Sequence, residues 1–277
     1  MSLRWWSSCR TDGGRVREVN EDAYLEMYDL GLWLVADGMG GHTRGEVASQ
    51  LIVDTLRGFP APQSLEQFSQ LVRTRLTLAN GRVLELASRL GASRMMGSTV
   101  VALLVYKGKC ACLWAGDSRA YLLRDGHLSQ VTRDHSLAEQ LVQRGELSRE
   151  QVAHHPTASR ITRAIGTQAR LRLDERRFRL QDGDAILLCS DGLNKELSDQ
   201  EIEGVLDGYD CDEASQELLD LSLERGARDN VTVAVIRFEA TTGFGDTAMD
   251  NTLLDHRTKP PQMGTGRDGH PSTGWTP

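Results

Sequence analysis

The sequence predicts an α+β fold in which antiparallel β-sheets are flanked by α-helices. Three observations carry this expectation. Strand-like segments are numerous, and several are joined by short Asp/Gly turns. Helical periodicity comes in pairs set between groups of hairpins. Strands and helices do not alternate strictly, as a parallel sheet would require.

The strand segments are read from alternating or β-branched apolar content. In chain order they are DAYLEMYDL (22–30), LWLVAD (32–37), STVVALLVY (98–106) and KCACLWAGD (109–117). RAYLLRDG (119–126), RLRLDERRFRL (170–180), DAILLCSD (184–191) and NVTVAVIRFE (230–239) follow. YDLG, RDGH and QDGD read as hairpin turns, because Asp and Gly tolerate the conformations that tight turns demand. Helical spacing of apolar residues covers 45–57, 64–90, 136–144, 199–207 and 212–225. No internal repeat occurs. From residue 239 the chain turns rich in Gly, Thr, Pro and Asp, so 239–277 is expected to be a disordered tail behind one domain spanning 1–238.

Composition narrows the function. The 277 residues are 39% apolar and carry a net charge of −7. That balance disfavours nucleic-acid binding, which wants a basic field, and suits a protein that gathers cations. The cysteine count is odd, at five, and Cys110 and Cys112 alternate along a strand segment as small core residues would. With no long apolar run, and no signal-peptide core in MSLRWWSSCRTDGG, the expectation is a soluble cytoplasmic protein with no membrane partner.

The chemistry concentrates in acidic residues at strand ends. LWLVADG ends on Asp37, ACLWAGDSR on Asp117 and AILLCSDG on Asp191. Asp229 in GARDNVTVAVI, and Glu21 with Asp22 in REVNEDAY, precede or open strands. Any one of these is ordinary turn chemistry. Brought together they would repel, and only cations would make their convergence stable. Hard divalent ions such as Mg²⁺ or Mn²⁺ take carboxylate, carbonyl and water oxygens. The glycines after Asp37 let backbone approach such an ion closely.

In order along the chain, RVREVNEDAY, VADGMGGH, GSTVVALL, WAGDSRAYLLRDG, VTRDHS, ITRAIG, LLCSDGL and RDNVTVAVI resemble the successive signature motifs of the PPM family. These are the metal-dependent serine/threonine protein phosphatases of type 2C. The resemblance covers roughly residues 8–238, and DGMGGH is similar to the bacterial branch. It implies two packed antiparallel sheets flanked by helices, an αββα sandwich. It implies that Asp37 bridges two metals, with Glu21 and the Gly38 carbonyl completing one site and Asp191 and Asp229 the other. Asp117, with Asp191, matches a third, more weakly held metal of many bacterial members. Asp22 would orient metal-bound water from behind the ligands.

The implied mechanism is in-line attack on phosphorus by a hydroxide shared between two metals. This route needs no phosphoenzyme. Arg17, four residues before Glu21, matches the family's phosphate-binding arginine, whose guanidinium grips two oxygens at once. The leaving oxygen needs a proton. The eukaryotic pattern has His directly after Asp-Gly; here Met39 stands there, and His42 is either the acid or a helix cap, with metal-bound water the alternative. HHPTASRITRAIG and the helical segment before it correspond to the flap beside the active site, with Ser159 where bacterial relatives often carry Asn.

The expected partners are phosphorylated proteins and a cognate Ser/Thr kinase. In the tail, Thr247, Thr252 and Thr265 each precede an Asp by three residues, a pattern that forkhead-associated domains favour once the threonine is phosphorylated. Two rival readings fit less well. A two-metal nuclease would want a basic groove, which the net charge does not support. A catalytically weak phosphoprotein-binding scaffold would have lost ligands, and every ligand position is intact.

Overall fold

A computed structural model of the chain describes residues 3–40, 44–58, 60–90, 96–148, 151 and 160–241. Contacts divide the chain into two units, Met1–Thr241 and Thr242–Pro277. The second unit lies outside the described residues.

The first unit holds two antiparallel sheets. Strands β1 (Leu3–Asp12), β11 (Val231–Ala240), β10 (Ala185–Cys189), β7 (Arg119–Arg124) and β8 (His127–Gln130) form one sheet, in that order. The second runs β2 (Asp22–Met27), β3 (Leu32–Met39), β5 (Val100–Tyr106), β6 (Lys109–Ala115) and β9 (Asp174–Arg179), with the short β4 (Gly97–Ser98) also on β3.

Side-chain parity builds the layers. On β3, Trp33 and Val35 point between the sheets, where they join Val101, Leu103, Ile186, Leu188, Ala234 and Phe238. Leu32, Leu34 and Ala36 point the other way, onto α1 (Arg44–Leu56) and α2 (Leu65–Arg89). On β10, Leu187 and Cys189 face a third apolar cluster. That cluster is covered by α4 (Asp191–Glu196), α5 (Asp199–Gly208) and α6 (Cys211–Glu224). The result is the αββα sandwich, with α3 (Leu137–Gln143) following β8.

The helices start where their caps dictate. Ser64 and Ser136 accept from backbone amides three residues on, and Ser198 and Asp210 close full capping boxes with Glu201 and Glu213. Three sequence expectations need correction. QDGD does not turn a hairpin: β9 pairs with β6 in one sheet and β10 with β7 and β11 in the other, so this turn carries the chain across the sandwich. Leu3–Asp12, read only for the lack of a leader, is a full strand paired along its length with β11. Asp191 opens a short helix that the strand reading of 184–191 overlooked.

Candidate active site

The odd-numbered face of β3 runs Trp33, Val35, Asp37, so the inter-sheet layer ends in a carboxylate. The same parity on β10, through Ile186 and Leu188, leads to Ser190 and then Asp191. Asp22 stands directly opposite Asp37 in the β2–β3 register. Asp117 follows β6, and Asp229 lies just before β11. The strand ends of both sheets therefore meet at one edge of the sandwich.

The convergence is visible in the electrostatics. Burial, followed by the charges of Asp22, Asp191, Asp117 and Asp229, holds the Asp37 carboxyl well above the usual carboxylate range. Asp22 is pushed up to about 7 by burial, against hydrogen bonds from Ser190 and Thr232. Asp117 is pushed up to about 7 by burial and by Asp191. Burial also raises Glu21 and Asp191. Asp229 goes the other way: burial would raise it, but Lys195 and Arg17 outweigh that and lower it. Burying the ionised form of Asp22 or Asp117 is unfavourable unless a cation compensates it.

Backbone approach is as tight as the glycines suggested. A Cβ on Gly38 would lie 2.1 Å from the Gly45 carbonyl oxygen and 2.5 Å from that of Glu21. A Cβ on Gly45 would meet Glu21 Oε1 at 2.5 Å. Gly45 N instead donates to that oxygen at 3.0 Å, in the first turn of α1, and Ser49 Oγ donates to the Glu21 carbonyl at 2.6 Å. The helix start thus aims Glu21 at the site.

Three residues missed by sequence reasoning hold the site together. Asn230 Oδ1 accepts from Glu21 N at 2.9 Å, while its Nδ2 donates to the carbonyls of Gly13 and Val19 at 2.9 and 3.1 Å. It ties the loop carrying Arg17 and Glu21 to the start of β11. Thr99 brackets Asp37: its N donates to the Asp37 carbonyl at 2.8 Å, and its Oγ1 accepts from Asp37 N at 3.1 Å. Thr99 Oγ1 also bonds Ser118 Oγ at 2.6 Å, beside Asp117. Lys195 Nζ lies 2.6 Å from Asp191 Oδ2 and 2.9 Å from Asp229 Oδ2. Adjacency to predicted residues (Asn230 after Asp229, Lys195 one helical turn from Asp191) was the available signal.

Arg17 Nε pairs with Asp229 Oδ1 at 2.9 Å, and its side chain is 52% exposed. It lines a cleft of about 1290 Å³ together with Asp117, Asp191, Lys195 and Asp229. His42, Ser159 and the tail threonines lie outside the described residues.

The arrangement suits cations. Asp117 Oδ1 and Asp191 Oδ1 are buried with no hydrogen-bond partner. Six carboxylates gather against two directly paired cations, Arg17 and Lys195, an excess of acidic groups that divalent ions would offset. Among the described residues no three Asp, Glu, His or Cys side chains already form a closed metal shell. The carboxylates would have to turn inward to build one.

A sandwich of this kind with an acidic edge suits a hydrolase that uses divalent ions. The chain belongs to the protein phosphatase 2C family, whose model matches residues 14–230. It is a protein serine/threonine phosphatase. Its relatives include the serine/threonine phosphatase stp of Listeria welshimeri, 33% identical over 235 residues that cover 82% of this chain and 93% of that protein. The fold is similar to that of PppA, described as a key regulatory component of T6SS in Pseudomonas aeruginosa. That match has a TM-score of 0.79 and 45% identity, over 84% of this chain and 97% of that one. It is also similar to the catalytic domain of the phosphatase PstP in complex with two manganese ions, with a TM-score of 0.75 and 32% identity, over 86% and 100% of the two chains.

Proposed function

We propose that this phosphatase hydrolyses phosphoserine and phosphothreonine on proteins with two divalent ions held by Glu21, the Gly38 carbonyl, Asp37, Asp191 and Asp229. The observation that carries this reading is the unpartnered, buried Asp191 Oδ1 beside a carboxyl cluster whose mutual repulsion only cations relieve. When bound, the ions supply an activated water and neutralise charge on the phosphoryl oxygens.

The chain's own residues do the rest. Arg17, exposed at the cleft, turns its guanidinium from Asp229 to the phosphate and grips two oxygens. Asp22, fixed by the Thr232 hydroxyl on Oδ2 at 2.7 Å, accepts a proton or hydrogen bond from water behind the ligand layer. Thr99 and Asn230 keep Asp37 and the Arg17 loop in register, because small misplacements are expensive in catalysis. Asp117, half-satisfied and next to Asp191, would hold a third ion. His42 remains the candidate proton donor to the leaving oxygen.

We further propose that the enzyme opposes a Ser/Thr kinase. Phosphorylation of Thr247, Thr252 or Thr265 by that kinase would create a docking point for a forkhead-associated domain. All five cysteines are unpaired, which supports a reducing cytoplasmic location. Among the described residues no helix is long and apolar enough to cross a membrane.

Dephosphorylation of a phosphothreonine peptide by the full chain tests the reading. Activity should vanish in EDTA and return with Mn²⁺. Undiminished turnover in EDTA would refute the metal requirement.

A further inference from the structure

Lys195 stands where the proposed metal site needs a cation. It lies on α4 one turn after Asp191, so the helix places the two side chains on one face. Its ammonium reaches past Asp191 to Asp229, which sits on a separate segment next to β11. Each carboxylate gives up its Oδ2 to this contact. Both Asp229 oxygens are engaged, because its Oδ1 is taken by Arg17 Nε at 2.9 Å and by Asn230 N at 3.1 Å. Asp191 keeps one free oxygen, the buried and unpartnered Oδ1.

We propose that Lys195 is a resident counter-cation that competes with the divalent ions for Asp191 and Asp229, and so sets the ion concentration at which the enzyme loads. The proposal rests on the metal-dependent reading above.

Competition follows from charge and from reach. An ammonium is a compact point charge on a flexible four-carbon stem, so it can occupy a carboxylate pair and also swing away. The Lys195 side chain is 39% exposed, which gives it a solvated place to go. Burial would favour its neutral amine, but Asp191 and Asp229 hold the ammonium charged. A divalent ion brings twice the charge to the same oxygens and takes several ligands at once, so it wins when its concentration is sufficient. Until then Lys195 offsets part of the repulsion between the two carboxylates. The affinity is lowered by the free energy of breaking two partly exposed ion pairs, on the order of tenfold.

The test is Mn²⁺ titration calorimetry on the EDTA-stripped, dialysed full chain, with the melting temperature of the same protein in EDTA. Lys195→Met removes the charge and keeps most of the stem; Lys195→Arg keeps the charge. The proposal expects Lys195→Met to bind Mn²⁺ about tenfold more tightly and to melt at a lower temperature in EDTA. Lys195→Arg should stay near the wild type in both. Equal or weaker Mn²⁺ binding by a folded Lys195→Met protein overturns the proposal while leaving the metal reading intact. A wild-type chain that binds no Mn²⁺ at millimolar concentration overturns both.

Discussion

Asp22 and Asp37 face each other as opposed residues of the antiparallel β2–β3 pair, so two carboxylates share one rung of a largely buried ladder. Like charges in that relation destabilise a sheet. The protein tolerates it because Thr232 donates to Asp22 Oδ2, Thr99 fixes the Asp37 backbone, and an ion can take the remaining charge.

That strain should be readable as a pH effect. Asp22 and Asp117 are raised in the fold to about 7, from an ordinary 3.8. Between those values the folded protein holds protons that the unfolded chain has released. Unfolding free energy therefore falls as pH rises through this window. In EDTA, the melting temperature should be higher at pH 5.5 than at pH 8, and the difference should shrink in Asp22→Asn and under saturating Mn²⁺. A flat or inverted profile by scanning fluorimetry would count against the buried-carboxyl picture.

Thr99→Val keeps the side-chain shape and the bond from its own N, but strips the hydroxyl that Asp37 N and Ser118 use. Leaving those groups buried and unpaired should cost about 1–3 kcal/mol of stability in urea denaturation. Turnover should fall on the order of 10–100-fold, because Asp37 loses its register.

Asn230→Ala removes three bonds that hold the Arg17–Glu21 loop. Turnover of p-nitrophenyl phosphate should drop by roughly 100-fold, with the circular dichroism of the sandwich preserved. Near-normal kcat/KM would mean that the loop is held by other contacts.

Arg17→Ala acts on a half-exposed side chain, so stability should hardly change. Its signature should be a raised KM for phosphosubstrates with a smaller effect on kcat. Asp37→Asn and Asp191→Asn should instead lower kcat by orders of magnitude, since each would remove charge from the proposed metal site.

Much of this architecture was legible in the sequence, and the reasons are local. Apolar runs ending in Asp37, Asp117 and Asp191 announce their strands, and helical spacing set α1, α2, α5 and α6 to within a residue or two. Failures came where partners are distant. β1 shows no clean alternation, with Trp5 beside Trp6 and Ser7 beside Ser8, and its identity comes from β11 more than 200 residues away. QDGD carries ordinary turn chemistry, and nothing in it says that its two strands join different sheets. Arg17 and the acidic residues were legible as types, whereas Thr99, Asn230 and Lys195 acquire their roles only when remote segments meet.

Anomalous diffraction at the manganese edge, from crystals of the full chain grown with Mn²⁺, tests the central claim most directly. Two strong peaks should lie among Glu21, Asp37, the Gly38 carbonyl, Asp191 and Asp229, with Asp37 touching both. Peaks elsewhere, or none with those carboxylates still turned to Lys195 and Arg17, would contradict it.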